Sequence, residues 1–369
     1  MPRLSSLPRP LAAAAAGALL LAFTAPGAWG EEFRRWAESA RGLGVGGALT
    51  AVASGSDAML YNPAGLAQDV IWKAELAYSL DESEDDPGGF FDRLDDMPGT
   101  PAEVGDLLAE GQESRYRREQ LFASFHTGGG FGLAAIDVRT RQSQPTAAGL
   151  GYREERFTGG MATLAWSTGL RLIMFGVTVK VLGRQLIEEE FTAAELSDPA
   201  FDLEGFRSSG NDFAYDAGVL IRLPIPFIRP TIGAAQINGG DPEFGFSKRP
   251  ALLSETNVGV SLNPYIFTDA AQLLLMYEQR DINDHAYAAD DSSAKREHYG
   301  AELSFFPKAH GIWALQLRAG DSQGKGTWGV GVNFDQFLSI DVAQYSELLG
   351  TEDRPQWEKR TILQIKLGF

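Results

Sequence analysis

The chain has 369 residues, no cysteine and a formal net charge of −17. The missing cysteine excludes a disulfide framework, thiolate metal sites and a cysteine nucleophile. The acidic balance, with lysine and arginine scattered singly or in pairs, excludes an electrostatic nucleic-acid surface.

At the N-terminus, Arg3 and Arg9 flank the start of an apolar run from Leu11 to Phe23, and Pro26 precedes the small-residue pattern Ala28-Trp29-Gly30. A basic start, a short apolar core and small residues at the exit predict a secretory signal peptide over 1–30, cleaved before Glu31. Cleavage removes two arginines and no acids, moving the charge from −17 to −19. The apolar run is too short to span a bilayer comfortably, and no later stretch is continuously apolar for about 18 residues, so no transmembrane helix is expected.

Residues 31–40, EEFRRWAESA, read as a short polar helix at best. The stretch RGLGVGGALTAVASGSDAMLYNPAG follows, from Arg41 to Gly65. Its Gly42, Gly44 and Gly47 have the spacing of a dinucleotide-binding loop, but such a loop needs a buried strand before it and a helix after it. Neither is predicted, and no βαβ pattern occurs in the chain. Small residues instead suit a backbone that lies close to another surface, and Asn62-Pro63 suits a fixed turn. A flexible linker is the other reading, but linkers rarely place Leu43, Val45, Leu49, Val52, Met59 and Leu60 so regularly.

After Asn62-Pro63 the chain becomes a series of segments with alternating polarity. They lie near 69–79, 117–126, 130–141, 153–167, 169–183, 211–223, 227–238, 254–263, 269–281, 296–306, 310–321, 325–335, 337–347 and 358–369. In the fifth, Ile173, Phe175, Val177, Val179 and Val181 alternate with Met174, Gly176, Thr178 and Lys180. In the last, Leu363, Ile365, Leu367 and Phe369 alternate with Ile362, Gln364, Lys366 and Gly368. A period of two places each set on one face of a sheet. Fourteen such segments predict a transmembrane antiparallel β-barrel, an all-β fold of the even-stranded kind found in bacterial outer membranes.

The connections alternate between short ones and long ones (80–116, 142–152, 184–210, 239–253, 282–295 and 348–357), and only the link near 321–325 is shorter than its parity predicts. Short periplasmic turns and long external loops then place both termini on the periplasmic side. A β-sandwich would show a polar outer face, and a propeller would repeat every 40–50 residues or so; neither pattern is present. Trp72, Tyr78, Trp166, Trp313, Trp328 and Tyr345 near segment ends suit an interfacial girdle. Lys73, Glu75, Lys180, Asp216, Arg222, Arg229, Glu278, Arg280, Glu302, Arg318, Asp341 and Lys366 are expected on the inward face. There they serve either as a network of paired charges or as a polar path.

The opening stretch resembles the N-terminal segment of the FadL family of outer-membrane transporters, including its PorV-type relatives. The matching residues are Ala40-Arg41-Gly42-Leu43-Gly44, Gly46-Gly47-Ala48, Ala51-Val52-Ala53 and Tyr61-Asn62-Pro63-Ala64-Gly65-Leu66-Ala67. Asn62-Pro63-Ala64 is the most specific piece. The resemblance implies a hatch over 31–67 folded inside a barrel over 68–369, with Gly42, Gly44, Gly46, Gly47, Asn62, Pro63, Ala64 and Gly65 as its motif. The terminal Phe369 resembles the signal read by the barrel assembly machinery.

Two long loops carry apolar residues that need a reason if they face water. Loop 80–116 opens with an acidic run and then places Phe90, Phe91, Leu94, Val104, Leu107 and Leu108 at helix-like spacing; loop 184–210 holds Phe191, Leu196, Phe201, Leu203 and Phe206. They pack on one another as lids, or they form a groove for an apolar ligand, as the resemblance implies. The residues expected to line such a groove are Phe90, Phe91, Phe191 and Phe206.

No G-x-S-x-G elbow or H-E-x-x-H motif occurs, and His126, His285, His298 and His310 are dispersed without metal-ligand spacing. No catalytic site, metal or cofactor is expected. The resemblance implies an outer-membrane protein, surrounded by outer-membrane lipids, for passive uptake of a hydrophobic small molecule such as a long-chain fatty acid or hydrocarbon. The alternative is a PorV-type protein that binds or tethers secreted proteins without transporting small molecules.

Overall fold

A computed structural model describes residues 35–69, 71–83, 89–98, 100–111, 115–146, 149–245, 252–264, 270–283, 296–306, 313–334, 337–349 and 356–369. The expected signal peptide and its cleavage site lie outside these residues, as do His285 and His310.

The chain enters through short helical pieces: α1 (Ala40–Gly44), a 3-10 turn at Gly55–Asp57, α2 (Ala58–Tyr61) and a second 3-10 turn at Pro63–Gln68. Fourteen strands follow. They are β1 (Lys73–Ser83), β2 (Arg115–His126), β3 (Phe131–Pro145), β4 (Leu150–Ser167), β5 (Ile173–Phe191), β6 (Ser208–Arg222) and β7 (Thr231–Gly239). The circuit continues with β8 (Glu255–Leu262), β9 (Ala271–Gln279), β10 (Glu297–Phe305), β11 (Trp313–Ser322), β12 (Lys325–Phe334), β13 (Leu338–Leu349) and β14 (Gln356–Gly368). Each pairs antiparallel with its sequence neighbours, and β1 closes on β14 from Glu75↔Gly368 to Ser83↔Arg360. Closure removes the unpaired edges that an open sheet would present.

All fourteen expected segments are strands of this barrel. The first begins a few residues later than its alternation indicates, and the fifth runs on to Phe191 instead of stopping near 183. Alternation marks only the part of a strand with one apolar and one polar environment. Above it, Leu186 and Ile187 are both buried, and the period is lost.

Along β5, Ile173, Phe175, Val177, Val179 and Val181 are exposed on the outer face, while Met174, Gly176, Thr178 and Lys180 are buried on the inner one. The outer face of the barrel is thus an apolar belt, as hydrocarbon surroundings demand. Trp72, Tyr78, Trp166, Trp313 and Trp328 are exposed. Tyr345 departs from the expected girdle: it is buried on the inner face and its hydroxyl donates to Asp81. Arg229 also departs from expectation, lying in the exposed turn between β6 and β7 rather than on the inner face.

The wall is taller on one side. β3, β4 and β5 have 15, 18 and 19 residues, against 8 or 9 in β7 to β10. The tall part rises on the side of the long connections. Leu150, Tyr152 and Glu154 of β4 pair with Phe191, Glu189 and Ile187 of β5, in register with the outward Gly160, Ala162 and Leu164 below. Against this outer face lie α3 (Phe90–Asp95), α4 (Pro101–Glu110) and α5 (Ala193–Leu196).

Phe90, Phe91, Leu94, Val104, Leu107, Leu196, Tyr152, Ile187 and Phe191 form one buried cluster there. The Arg115 and Arg141 guanidinium groups sit 5.2 and 5.1 Å from the Phe90 and Phe91 rings, and Arg139 donates to Glu154 at 2.8 Å. α4 starts with Pro101 at its first turn and a reciprocal capping box between Thr100 and Glu103; Thr192 and Glu195 repeat the box at α5.

Phe191→Ala should remove the centre of this outer cluster at a local cost of about 3–5 kcal/mol. Hydrogen exchange should accelerate over 90–110 and 193–206 while the belt strands keep their protection. The Thr100 backbone amide, and then its hydroxyl, hold the Glu103 carboxyl below its ordinary value of 4.5. A lowered folded-state value means that this cap stabilises α4 above pH 4.5 and loses its contribution as the pH falls through the depressed value. Amide exchange in α4 should therefore rise on acidification, and Glu103→Gln should flatten that response.

Candidate functional site

The N-terminal segment lies inside the barrel as a plug. Ser39 caps α1, its hydroxyl accepting from the Gly42 amide at 3.1 Å. Tyr61 of α2 is fully buried and its hydroxyl accepts from the Ser39 amide at 3.1 Å. Gly42 lies against this ring: a Cβ there would stand 2.2 Å from the Tyr61 hydroxyl.

Glycines on both sides bring plug backbone onto wall backbone. Gly44 meets Gly329 of β12, and Gly46 meets Gly320 of β11. On the opposite side, wall Gly176 faces the Pro63 carbonyl carbon, where a Cβ would lie at 2.2 Å, and Gly218 faces the Asn62 side chain at 2.0 Å. Gly46 and Gly47 also take φ of 67° and 85°, a region that glycine enters without steric cost. The carbonyls they present are used at once: Gly46 O meets His298 Nδ1 at 2.7 Å, and Gly47 O accepts from Arg280 Nη2 at 2.9 Å.

Asn62 explains the most specific piece of the motif. Its Oδ1 accepts from the Ala64 amide at 3.1 Å, capping the turn that Pro63 begins. Its Nδ2 donates to Thr50 O at 2.8 Å and reaches the wall carbonyls of Val219 and Ala234 at 3.3 and 3.4 Å. One side chain therefore closes the turn, joins two parts of the plug and ties them to β6 and β7. Gly65 is required because a Cβ would stand 2.1 Å from Ala53 O.

The inward charges mostly grip this segment. Arg41 bonds Glu302 at 3.0 and 3.2 Å, and Glu302 also accepts from Arg318, which reaches Asp341. Arg35 pairs with Glu255 at 3.1 Å, and Glu278 accepts from the Thr50 amide at 2.7 Å. Lys180 pairs with Asp216 at 2.7 Å across the wall itself. Such pairs are buried with multiple partners, the condition under which interior charge is tolerated.

The inner face of β2 to β6 also carries a large apolar cluster among its polar groups. Phe122, Ile136, Val138, Phe157, Met161, Leu182 and Ala214 from β2 to β6 pack with Trp36, Leu49, Met59 and Leu66 of the plug. Phe157 stands 5.8 Å from both Trp36 and Phe244, and Phe244 belongs to the connection after β7. Arg184 lies over both phenyl rings, at 5.7 and 5.8 Å. These residues were not singled out from the sequence; the inward positions of β2 to β6, read together rather than strand by strand, carry the signal.

Among the described residues, a pocket bounded by Arg35, Glu38, Gly46, Gly47, Arg280 and Glu347 on the side of the long connections has about 20 Å³. On the side of the short turns, a polar chamber of about 460 Å³ opens between Asp57, Asp69, Glu75, His126, Arg318 and Lys366.

The structure brings all eight motif residues, Gly42, Gly44, Gly46, Gly47, Asn62, Pro63, Ala64 and Gly65, into the plug. Of the expected groove residues, Phe90, Phe91 and Phe191 are buried in the outer cluster, and Phe206 sits at its edge, 43% exposed and 5.4 Å from Phe191. They lie on the outside of the tall wall and pack on one another.

No protein-family profile and no curated protein matches the chain in sequence. Solved structures do match it in shape. A TodX deltaS2S3 mutant monoaromatic hydrocarbon channel is 11% identical over 90% of this chain and 98% of its own, with a TM-score of 0.53. The Ralstonia pickettii toluene transporter TbuX is 13% identical over 89% and 97%, with a TM-score of 0.52. The CymD monoaromatic hydrocarbon channel is 11% identical over 89% and 96%, also at 0.52. The chain has the fold of these hydrocarbon channels. At such identities the likeness is one of fold, plug and barrel together, and not of ligand.

Asn62→Ala should strand the carbonyls and the amide it serves, at about 1–3 kcal/mol for each buried group left unpaired. Gly176→Val should force the Pro63 turn off the wall. Both should leave the barrel resistant to denaturing electrophoresis without heating, yet expose Arg41 to trypsin, which wild type should resist.

Proposed function

We propose that the protein is an outer-membrane channel for passive uptake of hydrophobic small molecules, with the plug as its movable hatch. The observation that carries this reading is an apolar wall in contact with the plug: Phe157 and Met161 of β4 belong to one cluster with Trp36, Leu49 and Met59, while ion pairs such as Arg41–Glu302 and Arg35–Glu255 hold the plug elsewhere. An apolar molecule taking up that wall would compete with Trp36, Leu49 and Met59 for the same surface. Such contacts are worth about 25 cal/mol per Å² buried, so a long acyl chain or a hydrocarbon ring has enough area to matter. The first contact outside would be the exposed edge of the ring cluster at Phe206, with Phe90, Phe91 and Phe191 behind it. The signal peptide over 1–30, the hatch over 31–67 and the barrel over 68–369 belong to this reading, as does Phe369 as the assembly signal.

A second reading starts from α3, α4 and α5 on the outside of the tall wall: these external helices bind or tether secreted proteins, without small-molecule transport. Purified mature protein should bind a fluorescent long-chain fatty acid saturably, and Phe157→Ala/Met161→Ala, which truncates the wall itself, should weaken binding by about tenfold or more, the scale of losing roughly 1.4 kcal/mol. Phe90→Ala/Phe191→Ala should slow capture. Absence of saturable binding and of uptake into proteoliposomes, for fatty acids and aromatic hydrocarbons alike, would remove the transport reading and leave the tether.

A further inference from the structure

The end of the barrel with short turns carries an apolar surface that neither plug nor lumen uses. Leu170, in the turn between β4 and β5, is 90% exposed, and Phe227, between β6 and β7, is 75% exposed; Ile225 and Ile228 beside it are exposed as well. The two turns are neighbours, because β5 and β6 pair down to Ile173↔Ile221 and the Arg222 amide donates to Leu172 O at 2.7 Å. Leu170 and Phe227 both sit on left-handed backbone, with φ of 62° and 71°, a conformation disfavoured for L-residues.

The longer turn is held by its own bonds: Leu223 N to Pro230 O at 2.9 Å, Arg229 N to Ile225 O at 3.1 Å, and Asn263 N to Ile228 O at 2.9 Å. Large apolar side chains are thus fixed outward on a scaffold that is costly to form. In water, that arrangement would add exposed apolar area to backbone strain.

Two observations select what covers this surface. It is continuous with the outer belt, since Ile173, Phe175 and Ile232 are exposed directly above it. It is also interspersed with Arg171 and Arg229 in the same turns. Apolar side chains among arginines at the foot of a lipid-facing belt fit acyl chains topped by phosphate groups.

We propose that these two turns dock phospholipid of the periplasmic leaflet, with Leu170, Ile225, Phe227 and Ile228 among the acyl chains and the arginines at the phosphates. The proposal rests on the membrane placement of the barrel and not on transport. Arg171 also donates to Gln68 O at 3.0 Å, so one of these turns touches the residue that follows the plug, which Arg222 bonds from the inner face at 2.7 Å.

The cysteine-free chain allows single-site spin labelling without background. Nitroxides would be placed through Leu170→Cys and Phe227→Cys in full-length mature protein, in nanodiscs of phosphatidylcholine and phosphatidylglycerol. Asp198→Cys, in an external loop, is the water-exposed reference. The expected result is greater accessibility to oxygen than to a water-soluble nickel chelate at 170 and 227, and the reverse at 198. Labels at 170 and 227 that favour nickel would overturn the proposal. So would labels shielded from both reagents, which would indicate a protein partner or a second copy. Motion of the label at 227 should slow when phosphatidylglycerol is included, and Arg171→Gln/Arg229→Gln should abolish that difference; no lipid dependence in the wild-type background would overturn the phosphate contact. Failure to enter nanodiscs at all would defeat the membrane placement, and this proposal with it.

Discussion

The structure depends on how closely the plug backbone approaches the barrel wall. A fourteen-strand barrel has an interior too wide for its own side chains to close, and here a short, mostly irregular segment fills it. Irregular backbone brings amides and carbonyls that must be paired in a place with little water. Small residues on both surfaces solve the distance problem, and Asn62, Glu278, Arg280 and His298 solve the pairing problem. Without the first, the second could not operate, because the partners would stand out of hydrogen-bonding reach.

The barrel was legible in the sequence because a wall with an apolar outer face and a plug inside imposes a period of two on its strands. Strand number follows from that period, and the alternation of short and long connections supports it independently. The plug was legible for a different reason. Its glycines and Asn62-Pro63 form one local motif, readable without reference to distant positions.

What was hidden required distant positions to be read together. Gly176, Gly218 and Gly320 look like ordinary small residues on polar strand faces, and only their placement opposite Pro63, Asn62 and Gly46 gives them a role. Tyr345 sits near a strand end like the girdle aromatics, but one residue of parity turns it inward to Asp81. The loop phenylalanines have helix-like spacing, which says that they will be buried without saying against what; the answer is the outer face of β4 and β5. Phe157, Leu182 and Phe244 meet only because two strands and a connection converge near Trp36.

The two kinds of contact that the plug makes have a thermodynamic consequence. Its apolar contacts can be exchanged for contacts with any greasy molecule, whereas its ion pairs and hydrogen bonds demand specific geometry and have no such substitute. On the proposed reading the plug is therefore an internal competitor tethered by its polar contacts. Its local concentration is fixed by the fold and does not change with the amount of protein. Occupancy of the apolar wall by anything else is then a contest against a permanently present rival, and a ligand's apparent affinity reports its own contacts minus those it displaces.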